Sequence, residues 1–543
     1  MRKTAIMFML ALASAVAVSA QTAFDAYNFS ENDYEGTARS VAMGNAFTAL
    51  GGDLGAVSIN PAGSAVAKYS QFSFTPDLTM SFNTAQGVPF DGKELTYFQR
   101  RMKSGVTSMG MPNVAMTINW DTQRTTGLRN MSFGFIANKV KGWNENIYAN
   151  GNNTTTSFMG SMAAGAAGLS ADALGAENAY DYNPWRDVVG YQSGMISPYA
   201  TENGGDLFIG ASESLYSNGI AIPGRLSQTY GRNVTGGKFE YLFNVSANFS
   251  DFIYVGANLG VISISYDYNE YFKEAAEDPS DFENVFVDSN GDELKAYFKN
   301  MRFDYSYMAS GSGYFGKIGI LVTPGAGLRF GAAIQTPTVT DIYEQWSYAG
   351  QTGFTDSKFN ASARSPLGEY SYTVISPFRA NFGFAYTLGN LALISADYEY
   401  TDYSQMRFQE NRYDRDLIEQ LNGEIKSMYG ASHMLRAGLE VKPIRQFAVR
   451  AGYNLTTVPQ KEDMYGNALP VTCRHNASVG LGYDSNGSFF ADLACRYRFT
   501  TKEKFMPYAD YILDDDDNIV TPAPEIMNEH SLWKVYLTLG WRF

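Results

Sequence analysis

The sequence predicts an all-β chain: a transmembrane antiparallel β-barrel of about 14 strands with an N-terminal plug inside its lumen. Three observations carry this. The last eleven residues alternate strictly, with Trp533, Val535, Leu537, Leu539, Trp541 and Phe543 on one parity and Lys534, Tyr536, Thr538, Gly540 and Arg542 on the other. Such a strand is apolar toward lipid and polar toward a lumen, with Trp where it meets the two interfaces. Similar segments recur from Tyr69 onward, joined by connections that are alternately very short and long. Residues 24–68 precede the first of these segments and do not alternate.

Taken in chain order, the N-terminus has basic Arg2 and Lys3, an apolar run from Ala5 to Val18 and a small-residue site Val18-Ser19-Ala20. This reads as a signal peptide over residues 1–20, so the mature chain is expected to be exported. Beyond Ala20 no uncharged apolar run is long enough for a transmembrane helix, so the chain spans as a barrel or not at all. Composition agrees: aromatics are 15%, there are 52 Gly and 37 Tyr, and hydropathy is slightly negative, because only every second strand residue meets lipid. The net charge of −14 argues against nucleic acid, whose phosphates need a basic surface, and fits acidic surface loops.

Residues 21–68 are read as the plug, because the lumen of a barrel of this size is wider than side chains alone fill. Residues 69–543 are the barrel. Its predicted strands are 69–83, 112–121, 129–140, 237–249, 253–268, 303–322, 326–336, 373–388, 391–407, 431–442, 446–456, 471–484, 488–501 and 532–543. The tight connections Ser250-Asp251, Thr323-Pro324-Gly325, Gly389-Asn390, Pro443-Ile444-Arg445 and Ser485-Asn486-Gly487, with the longer Asp121 to Leu128, face the periplasm. The long connections 84–111, 141–236, 269–302, 337–372, 408–430, 457–470 and 502–531 then lie outside. The largest, rich in Gly, Ala, Ser and Asn, either folds over the pore or forms a surface loop.

The segment Gly51-Gly52-Asp53-Leu54-Gly55-Ala56-Val57-Ser58-Ile59-Asn60-Pro61-Ala62-Gly63 resembles the N-terminal signature of the FadL-type outer-membrane transporters of hydrophobic compounds. Ser376-Pro377-Phe378-Arg379 with the strand pair Asn381 to Tyr403, and Leu435 to Pro459 with Arg450-Ala451-Gly452-Tyr453, resemble the same family. The resemblance implies passive uptake of hydrophobic molecules such as long-chain fatty acids in the bacterial outer membrane, by a monomer without a cofactor. It implies a hatch built on Gly51, Gly52, Asp53, Asn60, Pro61 and Gly63. Ligand would be captured outside, enter a pocket in the barrel and leave sideways at a kinked third strand once the hatch shifts. That strand would be Met131 to Lys141, where no residue pattern marks a kink. The 141–236 and 502–531 segments have no counterpart in the resemblance.

The residues themselves suit this work. Apolar surface gains roughly 25 cal/mol per Å² on leaving water, so a greasy solute needs an apolar pocket rather than a wet pore. A carboxylate head would need a cation or donors. Lys317, Arg329, Arg379, Arg436, Arg450 and Arg496 fall on the lumen parity, beside Asp397, Glu399, Glu440 and Asp492. They are either ligand-binding candidates or partners of one another that stiffen the wall and anchor the plug. Asn60-Pro61 is likewise either a gate or a turn leading into the first strand.

Catalysis is not expected: the only histidines, His433, His475 and His530, fall at strand ends or toward lipid, with no nucleophile motif beside them. The acidic clusters Asp288 to Glu293 and Asp514 to Asn518 lack the closing Glu of a calcium loop, so no metal is assigned. Cys473 and Cys495 are read as lipid-facing and too far offset for a disulfide. The alternative to a transporter is an outer-membrane scaffold or shuttle that binds exported proteins at the cell surface, which long acidic loops would suit. An open porin is disfavoured by the plug.

Overall fold

Fourteen strands in sequence order form one antiparallel ring in a computed structural model that describes residues 22–89, 97–199, 207–216, 219–287, 290–409, 415–462, 468–485, 487–513 and 519–543. The signal-peptide segment, Asn486 of one turn, and Asp288 and Asp514 to Asn518 of the acidic clusters lie outside the described residues. The strands are β1 (Gln71–Gly87), β2 (Met102–Asp121), β3 (Leu128–Asn153), β4 (Leu226–Phe249), β5 (Ile253–Ala276), β6 (Glu293–Gly325), β7 (Leu328–Gln335, continuing as Val339–Phe354) and β8 (Gly368–Ile375, continuing as Arg379–Leu388). They continue with β9 (Ala392–Asp402), β10 (Ala431–Ile444), β11 (Phe447–Thr457), β12 (Cys473–Asp484), β13 (Phe489–Phe505) and β14 (Ile526–Arg542). Closure is direct, since β1 pairs with β2 on one side and with β14 on the other.

The outward parity is apolar and uncovered. Phe133, Phe243, Leu259, Ile318, Phe382 and Leu481 are all exposed, whereas their inward neighbours Ser132, Asn244, Asn258, Lys317 and Asn381 are buried. This is the lipid-facing belt of a membrane-spanning barrel. Turns at one rim are short. Ser250 and Asp251 both take positive φ, of 59° and 54°, the geometry of a two-residue hairpin turn.

Two turns sit a little farther along than their sequence indicates. A bulge between Val322 and Gly325 keeps Thr323 to Gly325 within β6, so Ala326 and Gly327 make the turn. Ile444 still pairs with Phe447, leaving Arg445 and Gln446 at the next one. At the other rim the strands run well past the predicted ends. β3 reaches Asn153 rather than 140, and β4 starts at Leu226 rather than 237. Above the lipid belt neither strand face meets hydrocarbon, so the alternation that marks a membrane strand is lost there.

The large insertion shortens accordingly and folds as a cap with four short helices, α3 (Phe158–Gly165), α4 (Ala171–Gly175), α5 (Ala179–Tyr182) and α6 (Trp185–Gln192). Phe158 stacks on Phe272 of β5 at 4.9 Å, and Trp185 meets Trp346 of β7 at 5.8 Å, so the cap seats across the mouth. The 408–430 connection contains a helix, α7 (Arg415–Met428).

Residues before β1 fill the lumen. They comprise α1 (Ala23–Ser30), α2 (Ala38–Ala42) and two 3-10 turns, Gly55–Ser58 and Pro61–Val66, and nearly every residue from Asn28 to Ala67 is buried. Thr22 caps α1, with Asp25 bonding back to its backbone. Cys473 and Cys495 are free and half-buried; Cys495 pairs with Val479, six residues from Cys473.

Candidate functional site

The lumenal segment is fitted to the wall in two different ways. From Ala42 to Pro61 it lies backbone against backbone. Lumen-facing Gly256, Gly319, Gly331, Gly383, Gly438, Gly452 and Gly480, on β5, β6, β7, β8, β10, β11 and β12, form a girdle under it. A Cβ at Gly331 would stand 2.0 Å from the Thr48 carbonyl oxygen, and one at Gly452 would stand 2.1 Å from the Gly44 nitrogen. Only glycine admits that approach.

From Ala23 to Glu35, by contrast, the segment is held largely by side chains. Glu31 pairs with Lys141 at 2.9 Å and with Arg474; Asp33 pairs with Arg498, and Arg496 reaches it at 3.5 Å; Glu35 pairs with Lys534. Burial would raise the Asp33 carboxyl, but Arg496 and Arg498 outweigh it and hold the group well below the usual carboxylate range.

The residues of the Gly-Gly-Asp to Asn-Pro-Ala-Gly stretch build the lower part of this segment. Gly51 and Gly52 take φ of 66° and 73°, and the Gly52 N–H donates to the Gly63 carbonyl at 2.8 Å, closing the stretch on itself. Asp53 accepts from the Thr37 hydroxyl at 2.8 Å and from the Gly55 N–H at 3.0 Å, capping the Gly55–Ser58 turn. Burial raises its carboxyl above the ordinary range. The Asn60 amide donates to the carbonyls of Thr48 at 2.6 Å and Ile320 at 3.1 Å, while its oxygen accepts from the Ala62 N–H at 3.0 Å. Pro61 opens the second 3-10 turn. Asp53 and Arg39 border a polar cavity of about 220 Å³ at the short-turn rim.

Five of the six lumenal cations from the sequence are engaged. Lys317 donates to the Ser58 carbonyl, Arg379 to the Ser30 carbonyl and Glu399, and Arg436 to Glu399 and Asn381. Arg450 bridges Glu440 and Asp492, and Arg496 donates to the Tyr34 carbonyl at 3.1 Å. Arg329 is half-buried and has no ion-pair partner among the described residues.

A separate cavity of about 370 Å³ lies above the segment, at the lower end of the roughly 300–1,000 Å³ of small-molecule pockets. Phe24, Trp143, Tyr266, Tyr268, Val234 and Leu532 supply its apolar lining. Lys141, Arg232, Arg498 and Lys534 bring cations to it, each already paired with a carboxylate, and Asp33, Glu145 and Glu503 line it as well. His530 also lines it, with its ring 3.0 Å from the Ser81 hydroxyl, so this histidine faces the lumen rather than lipid. These residues were missed because most sit where the strands outrun the lipid belt. Trp143 and Glu145 turn inward only because the bulge between Lys139 and Lys141 shifts the parity of β3, so extending the strand by simple alternation would have placed them outside.

Beside the cavity the wall is split. The β2–β3 ladder ends at Asn113–Asn138; above it β2 pairs in a ladder only with β1 and β3 only with β4, and the bond from the Ser104 hydroxyl to the Asn146 carbonyl spans the gap. β3 carries a bulge between Lys139 and Lys141 at that level. Met109 at the free edge of β2 is 87% exposed. β1 and β3 contribute to the cavity lining, and β2 contributes nothing.

No protein-family model matches the chain, and comparison with curated proteins finds no significant match. Solved structures do match. A FadL homologue from Pseudomonas aeruginosa aligns over 94% of this chain and 100% of its own, at 11% identity and a TM-score of 0.51. The deltaS2S3 mutant of the monoaromatic hydrocarbon channel TodX aligns over 94% and 99%, at 13% identity and a TM-score of 0.50. A closed barrel of fourteen strands, filled by its own N-terminus and matched along nearly its whole length, has the fold of the FadL-type outer-membrane channels.

Proposed function

We propose that this chain is an outer-membrane channel for passive uptake of hydrophobic small molecules, which it holds in the 370 Å³ cavity and releases sideways between β2 and β3. The observation that carries the reading is the interrupted ladder, with an aromatic-lined cavity directly behind it. Unpaired strand edges are costly in hydrocarbon, so a gap at the level where the lipid belt ends is a built feature.

The N-terminal segment acts as plug and gate. Its glycine-girdled part, Ala42 to Pro61, is the fixed seal. Its first part, held by ion pairs, moves. The names of the two matched structures, a FadL homologue and a monoaromatic hydrocarbon channel, support a hydrophobic cargo. Long-chain fatty acids fit as well, since Trp143, Tyr266 and Phe24 would pack the chain, while its carboxylate would take the place of Asp33 at Arg498 or of Glu35 at Lys534 when the first part of the plug moves.

The test is solvent extraction of the purified barrel with mass spectrometry of what it held. A single apolar class, fatty acid or hydrocarbon, is expected. An empty barrel that instead copurifies with an exported protein in fixed ratio would overturn the reading in favour of a surface scaffold.

A further inference from the structure

The outer rim of the barrel is notched. On one side β8 continues outward from Arg379 to Gly368, and on the other β13 continues past Arg498 to Phe505 with β14 as its only partner. Between them β9 ends at Asp402, β10 begins at Ala431, β11 ends at Thr457 and β12 begins at Cys473. The β9–β10 seam lies seven places round a ring of fourteen from the β2–β3 split, directly across the barrel.

Helix α7 stands in this notch in place of a strand. The two-residue strand at Arg407 and Phe408 pairs with β8 through Val374 and Ile375 and presents a free edge on its other side. Asn422 of α7 satisfies that edge with its side chain, accepting from the Phe408 N–H at 2.8 Å and donating to the Phe408 carbonyl at 3.1 Å. These are the two bonds a neighbouring strand would make. At its far end, Met428 accepts from the Lys461 N–H at 2.7 Å.

Inside the notch, Ile418, Leu421 and Ile425 pack in one apolar cluster with Ala23, Ala26 and Phe29 of α1. Tyr27 of α1 stacks on Tyr429 at 5.1 Å and meets Tyr403 edge-on at 5.1 Å. The Tyr27 hydroxyl donates to Glu31, and Glu31 pairs with Lys141 at the β3 bulge. A contact chain therefore runs from the notch, along the movable end of the plug, to the opposite split.

We propose that the notch is the way in, and that α7 is its door. A hydrophobic solute arriving from the outer surface displaces the α7–α1 contact, taking over aliphatic and phenol surfaces of matching chemistry. In doing so it loosens α1 and the Glu31 to Lys141 pair that closes the exit. An apolar chain or ring suits this face, because the side chains α7 buries are all aliphatic, and its charged Glu419 and Lys426 are exposed.

This rests on the transport reading above, and the test separates the two. In a chain carrying Cys473→Ser and Cys495→Ser, Ala26→Cys with Leu421→Cys is bridged by a short bis-maleimide containing a cleavable disulfide. A second variant bridges the split through Ser104→Cys and Asn146→Cys, positions already joined by a 2.6 Å bond from the Ser104 hydroxyl to the Asn146 carbonyl. Uptake of radiolabelled fatty acid and radiolabelled toluene is measured in cells lacking other such channels. We expect the door bridge to cut uptake at least tenfold and reductant to restore it, which also shows that the bridged barrel is folded. Uptake unaffected by the door bridge but stopped by the split bridge would overturn the entrance and keep the channel. Uptake unaffected by both would overturn both.

Discussion

The backbone N–H of Asp33 donates to the carbonyl of Val140 at 2.5 Å, and two residues on the Glu35 N–H donates to Lys139 at 3.1 Å. Both acceptors belong to β3 just above Asn138, the last residue to pair with β2. The plug thus bonds to β3 by its own backbone where β2 leaves that edge, lying over the split from inside without forming a strand.

Lys141→Met should loosen this shutter. Lys141 donates to the Asn28 carbonyl at 2.9 Å and pairs with Glu31, and methionine keeps the length while removing both. Because Glu31 retains Arg474, the local cost should be about 2 kcal/mol, or roughly thirtyfold faster hydrogen exchange at Asp33 and Glu35. Protection from Met43 to Leu50 should not change. Equal acceleration over both stretches would mean that the plug moves as one body.

The glycine girdle predicts the complementary result. Gly452→Ala would bring a methyl to 2.1 Å from the Gly44 nitrogen, a backbone atom that cannot step aside. Overpacking of this kind costs about 1–3 kcal/mol, and should lower the thermal midpoint and raise ion conductance in planar bilayers. Gly423→Ala in α7 meets nothing within 4 Å and should stabilise by about 0.5–1 kcal/mol, so it serves as the matched control.

These contrasts show what was legible in the sequence. Strand count and parity were, wherever one face meets lipid: Phe382 and Phe384 outward against Asn381 and Gly383 inward is plain in one dimension. The girdle was not, because glycine carries no polarity and its meaning depends on a neighbour hundreds of residues away, as with Thr48 over Gly331. The resemblance drew attention to Asn60 and Pro61, yet the bonds that hold the plug over the split come from Asp33 and Glu35, whose backbone N–H groups have no sequence signature. Helix α7 was readable in principle, since Ile418, Leu421 and Ile425 keep helical spacing; it lay hidden in a stretch counted as loop.

The cap should respond to pH. Glu213 accepts from the Tyr511 hydroxyl at 2.8 Å and the Gly210 N–H at 3.0 Å, and burial pushes its carboxyl from 4.5 up to about 7. A raised carboxyl pKa means that the folded cap binds the proton more tightly than the unfolded one. The associated stability is full below about 4.5 and is lost as pH rises through about 7. Hydrogen exchange across Leu207–Gly210, corrected for its intrinsic pH dependence, should therefore quicken progressively from about pH 4.5 to about pH 7 and then level off. Glu213→Gln should remove that dependence; persistence of the same pH profile in the variant would assign it elsewhere.

Asn60 is where two readings of the same turn can be told apart. As a turn former, Asn60 needs only its side-chain oxygen, which accepts from Ala62, and Pro61 already confines it to an extended backbone. As a tether, it needs its amide hydrogens, which reach Thr48 within the plug and Ile320 in the wall. Asn60→Asp keeps the oxygen and deletes the donors, placing a carboxylate against two carbonyls, whereas Asn60→Ala deletes both functions. A buried acceptor left unsatisfied costs about 1–3 kcal/mol, so the tether predicts that both variants lose about 2–3 kcal/mol and leak ions to similar extents. The turn alone predicts a normal Asn60→Asp barrel and a leaky Asn60→Ala one. The 2.6 Å bond to the Thr48 carbonyl and the lumen-facing Gly319, whose Cβ would stand 2.1 Å from the Asn60 oxygen, favour the tether, because a free turn would not need the wall cut back to receive it.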